Sequence, residues 1–121
     1  MNHIIISVSD LQRSIDFYKM LGLHLTVRAD LYCRFIVPGN NATFSLHLGH
    51  DIQPESTVIY VENEKLEEVV QLLKDRGIIF EQEPKGDPWL WREAYLRDPD
   101  GHRICLYYAG ENRSNPPLAG E

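Results

Sequence analysis

Two histidines of this sequence have the residue type and strand position that a metal site needs. His3 opens the β-branched run HIIISVS, and His47 belongs to the alternating segment TFSLHL. In both segments the histidine lies opposite the most aliphatic face. Imidazoles on one face of two adjacent strands can bind one transition-metal ion, so His3 and His47 are predicted metal ligands. The alternative is a frayed terminal His3 and a hydrogen-bonded pocket residue at His47.

An open catalytic metal site requires a third protein ligand, and Glu93 is the best-placed carboxylate. With two imidazoles it would complete a set that holds iron or manganese and leaves positions open for a substrate. The competing interpretation is that Glu93 forms a salt bridge with Arg92, Arg97 or Arg103. Cys105 is a second candidate as a soft ligand, although free cysteines are more typical of small buried apolar positions.

Aromatic residues cluster near Glu93. Trp89, Trp91 and Tyr95 follow one another closely, and aromatic walls suit planar or apolar ligands. Together with Cys105 and Tyr107 they are the predicted substrate-binding residues. Core packing explains at least one of the tryptophans equally well. The sequence has no recognisable Ser/His/Asp or Cys/His arrangement and no glycine-rich phosphate loop, so no catalytic residue is assigned.

The segment Asp98-Pro99-Asp100-Gly101 predicts a tight hairpin turn. Proline suits the first corner of a type I turn and glycine suits a left-handed bulge, so the loop has three residues. This register gathers the aliphatic residues on one face and makes Glu93 and Cys105 diagonal neighbours on the other, about 7 Å apart at the backbone. The predicted pairs are Leu96 with Ile104, Ala94 with Leu106, Tyr95 with Cys105 and Glu93 with Tyr107.

The elements that position these residues occur twice along the chain. Each half reads strand, helix, glycine and further strands, and His3 to Gly22 is 19 positions while Thr57 to Gly77 is 20. Gly22 to His47 is 25 positions and Gly77 to Cys105 is 28, which aligns His47 with Cys105. The sequence therefore predicts one domain, residues 1–110, with module one at 1–50 and module two at 56–110. Residues 111–121 are predicted to be a surface strap or disordered.

Both modules contain a predicted amphipathic helix. Ser9 and Gln12 form a capping box before the first helix, and Asn63 is the predicted cap of the second. Gly22 and Gly77 supply the left-handed residues that end the two helices.

Composition excludes several classes of protein. The 121 residues carry a net charge of −6 with 43% hydrophobic residues, which is typical of one folded domain. The acidic excess lies in residues 51–84 and indicates either a solvated helix face or attraction of a cationic ligand. Binding to nucleic acid is excluded because no Lys and Arg cluster exists. Two distant cysteines, no basic leader and no apolar run near 18 residues predict a cytoplasmic protein without a membrane span.

The strings NHIIISVSDLQRSIDFYKMLGLHL and YLRDPDGHRICLYY resemble the opening and closing signatures of the vicinal oxygen chelate superfamily. This superfamily includes glyoxalase I, extradiol dioxygenases, and fosfomycin and bleomycin resistance proteins. The resemblance covers residues 2–108 and is carried by SDLxxSxxFYxxLG and DPDGH. It implies an α+β, glyoxalase-like fold, in which two βαβββ modules form a half-open barrel or cup.

The resemblance also implies a function. It implies a metal-dependent lyase, isomerase or dioxygenase that acts on a small oxygenated molecule, using a divalent metal (Fe, Mn, Zn or Ni) and no organic cofactor. His3 matches the first ligand position of the family, and His47 falls where glyoxalase I has a glutamate. Thr57 or Val58 stands where a histidine is usual, and Cys105 stands where a glutamate is usual. The alternative implied function is a metal-free protein that sequesters a small molecule, as bleomycin resistance proteins do. A homodimer is implied in both cases.

Overall fold

The computed structural model describes residues 3–38, 42–54, 58–86 and 91–109. Within these ranges the chain forms two helices and eight strands. In chain order they are β1 (His3–Val8), α1 (Leu11–Met20), β2 (His24–Arg28), β3 (Tyr32–Ile36), β4 (Thr43–Leu48), β5 (Val58–Glu62), α2 (Leu66–Asp75), β6 (Gln82–Lys85), β7 (Arg92–Arg97) and β8 (Arg103–Tyr108). Trp89 and the predicted tail, residues 111–121, lie outside the described residues.

The strands form two four-stranded mixed sheets with the same topology. Their strand orders are β1-β4-β3-β2 and β5-β8-β7-β6. The parallel pairs are β1 with β4 and β5 with β8, and the other neighbouring strands are antiparallel. The predicted α+β fold with two βαβββ modules is therefore confirmed.

Contacts between Cα atoms divide the chain into two compact units. Unit 1 comprises Met1–Ser56 together with Asp98–Gly101, and unit 2 comprises Thr57–Arg97 together with His102–Glu121. Unit 1 therefore contains the first module and also the turn that connects β7 to β8.

The core of unit 1 lies between α1 and its sheet. Tyr18 on α1 packs edge-to-face on Phe44 of β4, with ring centroids 4.9 Å apart. The cap of α1 differs from the prediction, because Asp10 accepts the hydrogen bond from the Arg13 backbone N–H at 3.0 Å. The predicted capping box of Ser9 and Gln12 is wrong. The backbone N–H of Ser9 instead donates to a distant carboxylate, that of Asp100.

The core of unit 2 is built in the same way by α2. This helix packs on β8 and buries its apolar stripe, Leu66, Val70 and Leu73. Asn63 is not the N-cap of α2. Its side chain accepts a 2.8 Å hydrogen bond from the backbone N–H of Lys65, which is itself the capping residue and gives no side-chain bond. The asparagine therefore shapes the turn that precedes the helix.

The predicted helix ends are confirmed. Gly22 and Gly77 follow α1 and α2 with φ angles of 96° and 89°, which favour glycine. No helix formed by the described residues is long and apolar enough to cross a membrane.

Candidate functional site

The sheet of unit 2 separates aliphatic side chains from polar and aromatic ones. The observed β7–β8 register contains all four predicted pairs: Glu93 with Tyr107, Ala94 with Leu106, Tyr95 with Cys105 and Leu96 with Ile104. The aliphatic pairs are buried, and α2 packs on this sheet at β8. Because side chains alternate along a strand, the other pairs share the opposite face.

Glu93 and Cys105 meet on that face as predicted. The Cys105 Sγ atom lies 3.6 Å from Oε2 of Glu93, and the indole N–H of Trp91 donates to the same oxygen at 3.0 Å. The carboxylate is therefore held between a thiol and an indole.

The predicted salt bridge from Glu93 to an arginine is not formed. Arg92 pairs with Glu67, while Arg97 and Arg103 both pair with Glu81. The three cations are thus engaged by other carboxylates, which leaves Glu93 with partners that suit a ligand site.

Aromatic rings surround the thiol and the carboxylate. Trp91 and Tyr107 are stacked, with centroids 4.8 Å apart and planes inclined by 12°. Tyr60 meets Tyr107 edge-on at 6.2 Å, and the Tyr95 phenol forms hydrogen bonds with Tyr60 and Cys105. We call the following set the aromatic face: Tyr60, Trp91, Glu93, Tyr95, Cys105 and Tyr107.

Sequence reasoning missed one member of the aromatic face, Tyr60. This residue is 55% exposed and lies directly opposite Cys105 in the parallel β5–β8 pair. The alternation within VIYVE places Tyr60 on the face away from Ile59 and Val61, and that signal was present in the sequence. The partner strand could not be read from local pattern, because the pairing is non-local.

Burial controls the protonation of the thiol. It raises the pKa of Cys105 to about 12, and the adjacent Glu93 carboxylate contributes to the increase. Burial also raises the pKa of the Tyr95 phenol, with a further contribution from its hydrogen bond with Tyr60. Both groups are therefore protonated at neutral pH, and the thiol acts as a donor to Glu93 rather than as a free nucleophile.

His3 lies in unit 1 with hydroxyl partners. Its Nδ1 atom is hydrogen-bonded with Oγ1 of Thr43, and its Nε2 atom is 3.4 Å from Oγ of Ser45. His47 is exposed at the far end of β4, where its ring lies 5.6 Å from that of Tyr32.

The structure does not bring His3 and His47 together. The two strands are adjacent and parallel, but His3 is opposite Thr43 whereas His47 is opposite Ser7. Four register positions correspond to about 13 Å along a strand, which is too far for two imidazoles on one face to share an ion. The alternation in the sequence indicates the face of a strand, but it does not fix the register of a parallel pair.

The observed strands also correct the alignment of the two modules. Ser45 and Cys105 are both third residues of their strands, and they face Ile5 and Tyr60, the third residues of β1 and β5. Ser45 is therefore the counterpart of Cys105. By the same count the counterpart of His47 is Tyr107. The spacing in the sequence had aligned His47 with Cys105, and that alignment is wrong.

The distance between the two possible donor atoms of the aromatic face is compatible with a metal ion. Zinc lies about 2.3 Å from a thiolate sulfur and about 2.1 Å from a carboxylate oxygen, and a tetrahedral angle between these bonds separates the two donors by about 3.6 Å. This matches the observed distance from Cys105 Sγ to Glu93 Oε2. Across the described ranges no group of three His, Cys, Asp or Glu side chains is positioned for a metal, so this pair offers two donors.

Two proteins of known activity resemble the chain in sequence. It is 31% identical over 115 residues to a metallothiol transferase FosB of Staphylococcus saprophyticus, covering 88% of this chain and 74% of the relative. It is 26% identical over 128 residues to a trivalent organoarsenical cleaving enzyme of Bacillus sp. strain MD1, covering 95% of this chain and 79% of the relative.

Solved structures show the same fold. A member of the glyoxalase, bleomycin resistance protein and dioxygenase superfamily from Sphaerobacter thermophilus superposes with a TM-score of 0.71 at 25% identity, over 89% of this chain and 95% of the other. A glyoxalase/dioxygenase from Nostoc punctiforme gives a TM-score of 0.71 at 22% identity, over 89% of each chain. The family model for the Glyoxalase/Bleomycin resistance protein/Dioxygenase superfamily matches residues 1–106. The chain belongs to this superfamily.

Proposed function

We propose that this protein is a metal-dependent enzyme that acts on a small oxygenated molecule bound at the aromatic face. The observation that carries the proposal is the contact between Glu93 and Cys105, 3.6 Å apart beside the stacked rings of Trp91 and Tyr107. A carboxylate, a thiol and aromatic walls on one sheet face provide both donors for an ion and an apolar surface for a substrate.

The sequence relatives support the enzyme class. One is named for a metal and a thiol, and the other for cleavage of a trivalent organoarsenical. Among the lyase, isomerase and dioxygenase classes, the second name favours a lyase for this chain. The two free cysteines suit a reducing compartment, and the proposed location is therefore the cytoplasm. The proposed oligomeric state is the homodimer that the resemblance to the superfamily implies.

The residues of the aromatic face have separate roles in this proposal. Glu93 and Cys105 hold the divalent ion, which when bound supplies a Lewis acid that stabilises negative charge on the substrate. Trp91 keeps the Glu93 carboxylate in place through its indole N–H. The exposed ring of Tyr60 contacts the apolar part of the substrate.

Turnover with and without metal tests the proposed function. The assays are thiol transfer to small oxygenated electrophiles and cleavage of trivalent organoarsenicals, with protein treated with chelator and then resupplied with Mn²⁺, Fe²⁺, Ni²⁺ or Zn²⁺. We expect activity that is lost with chelator, restored by one of these ions and lowered at least tenfold by Glu93→Gln. Glu68→Gln, an equivalent change on the exposed side of α2, is the control and should retain activity. Activity that survives both the chelator and Glu93→Gln contradicts the proposal.

A second candidate function is metal-free binding of an aromatic or cationic small molecule. It is favoured by the combination of Tyr60, Trp91 and Tyr107 with one carboxylate, since aromatic rings and a negative charge attract organic cations. The test is quenching of tryptophan fluorescence by a ligand panel in excess chelator. Saturable quenching that Trp91→Phe weakens, in a protein without chelator-sensitive turnover, selects this function over the first.

A further inference from the structure

We infer that the first sheet binds a small oxyanion, the carboxylate or phosphate-type group of a ligand, on the face that points away from α1. Arg34 is the principal anion-binding residue, and Tyr32 and His47 adjoin it. We call Tyr32, Arg34 and His47 the basic face. The inference goes beyond the proposed function, because it concerns unit 1 alone and uses no residue of the aromatic face.

The charge of the first module differs from that of the whole chain. With histidines neutral, residues 1–50 have a formal charge of +1, whereas the chain carries −6. The basic residues of this module are Arg13, Lys19, Arg28 and Arg34, and its acids are Asp10, Asp16 and Asp30. The strands HIIISV, HLTVR, YCRFI and TFSLHL contain no Asp or Glu. An anion that approaches this sheet therefore meets no carboxylate within its strands.

Arg34 extends from the face of the sheet that α1 does not cover. Its neighbours on β3, Cys33 and Phe35, are completely buried, and the Phe35 ring lies 6.2 Å from that of Tyr18 on α1. Because side chains alternate along a strand, the exposed Arg34 lies on the opposite face. The Thr26 hydroxyl donates to the Arg34 carbonyl at 3.2 Å, which holds the backbone and leaves the guanidinium uninvolved.

The Arg34 guanidinium has no acidic partner in the part of the chain that the structure describes. The salt bridges within that part involve Arg13, Lys74, Arg92, Arg97 and Arg103. An external carboxylate or phosphate therefore does not have to displace a described internal carboxylate from Arg34.

Two polar rings adjoin the guanidinium. Tyr32 is two positions before Arg34 on β3, so both side chains are on one face. His47 is opposite Tyr32 on β4, with ring centroids 5.6 Å apart. Arg34 is itself opposite Ser45, which makes His47 its diagonal neighbour at about 7–8 Å, within reach of long side chains. The phenol hydroxyl and the imidazole N–H can thus donate to an anion that Arg34 holds.

This set of donors defines the class of ligand. The N–H groups of a guanidinium form a planar fork that matches two oxygens of a carboxylate or of a phosphate. Neutral hydroxyl and imidazole donors add hydrogen bonds without adding a negative charge. A metal cation is disfavoured here because Arg34 repels it. The ligand is therefore a small molecule with a carboxylate or phosphate-type group.

NMR titrations of isotope-labelled protein test the inference. Inorganic phosphate and acetate are added separately in an amine buffer, and sodium chloride at equal ionic strength controls for screening of surface charge. We expect amide shifts at Tyr32, Arg34 and His47 that saturate with phosphate or acetate and do not saturate with chloride. Tighter binding of phosphate identifies a phosphate-type ligand, and tighter binding of acetate identifies a carboxylate.

Substitutions assign the binding to the basic face. Arg34→Gln should weaken the oxyanion about tenfold, since it removes charge-assisted hydrogen bonds. Tyr32→Phe and His47→Gln should each weaken it about threefold. Arg28→Gln is the matched control, because Arg28 is an exposed arginine at the end of β2 whose guanidinium donates to the Ala29 carbonyl. This control should change the affinity by less than about twofold.

Four results overturn the inference. They are amide shifts that map outside the basic face, equal saturable shifts with chloride, unchanged affinity in Arg34→Gln, and an equal loss in Arg28→Gln. The shift map of the wild type does not depend on any variant folding. Metal-dependent turnover is a separate readout, because the aromatic face takes no part in this binding.

Discussion

The phenol of Tyr18 donates a 2.7 Å hydrogen bond to the carboxylate of Asp98, 80 positions further along the chain. Both residues are buried, and next to them the backbone N–H of Ser9 donates to Asp100 at 3.0 Å. The signatures SDLxxSxxFYxxLG and DPDGH therefore contact each other within unit 1. The polar residues of the two signatures hold the β7–β8 turn in place. This structural role explains the spacing of those residues, and it assigns them no catalytic chemistry.

Removal of the Tyr18 hydroxyl should destabilise the protein. Tyr18→Phe leaves the buried Asp98 carboxylate without its phenol donor, and a hydrogen bond to a charged group contributes about 1.5–3 kcal/mol. We expect the free energy of unfolding in urea to fall by about 2 kcal/mol. Tyr32→Phe, at a ring that lies beside His47, should change it by less than about 0.5 kcal/mol. Equal effects of the two substitutions would contradict the importance of this hydrogen bond.

The same hydroxyl predicts a loss of stability at alkaline pH. Burial, the Asp98 carboxylate and then Asp100 raise the pKa of Tyr18 well above its usual value. An unfolded tyrosine loses its proton near pH 10, whereas the folded one keeps it, so the unfolded state binds fewer protons above that pH. The contribution of the Tyr18 phenol to the free energy of unfolding is therefore complete below about pH 10, and it declines as the pH rises further. The unfolding free energy of Tyr18→Phe, measured from pH 8 to 11, should decline less steeply than that of the wild type, and parallel curves would contradict this assignment.

Substitutions at two glycines allow the cost of backbone strain to be measured apart from the cost of a steric clash near the aromatic face. Gly77 has a φ of 89° and open space around it, while Gly86 has a φ of 110° and a Cβ there would lie 2.1 Å from the Trp91 carbonyl oxygen. Gly77→Ala should cost about 1–2 kcal/mol, from the left-handed conformation alone. Gly86→Ala should cost clearly more and should also reduce Zn²⁺ affinity, because Trp91 and Glu93 must shift. Isothermal titration with both variants measures this, and unchanged affinity in Gly86→Ala would contradict the role of Trp91.

Both thiols should be unreactive in the folded protein. Cys33 and Cys105 are completely buried, and burial raises the pKa of each thiol. A disulfide reagent reacts with the thiolate, so neither cysteine should be labelled within minutes at pH 7.5, and both should react in denaturant. Rapid labelling of the native protein, assigned to Cys105 by mass spectrometry, would contradict the burial of the thiol.

The hairpin part of the site was predictable because its determinants are local. The turn residues Asp98 to Gly101 fix the register of β7 and β8, and the aliphatic pairing of Leu96 with Ile104 provides a check. The contact between Glu93 and Cys105 follows directly from that register. The glycines that end the two helices are equally local signals, and they were confirmed.

The remaining features depend on contacts between distant segments. His3 and His47 share a face, but the register of β1 on β4 is set by packing that the alternation does not specify. The Ser9 capping box failed because Asp100, from the other end of the chain, engages that residue. Tyr60 was missed for the same reason, since β5 reaches Cys105 only through a parallel pairing.

The most direct measurement is the metal content of protein expressed with added zinc and purified without chelator. The account predicts about one ion per chain in the wild type, a similar value in His47→Ala, and almost none in the double variant Cys105→Ser with Glu93→Gln. Loss of metal in His47→Ala together with retention in the double variant would contradict it.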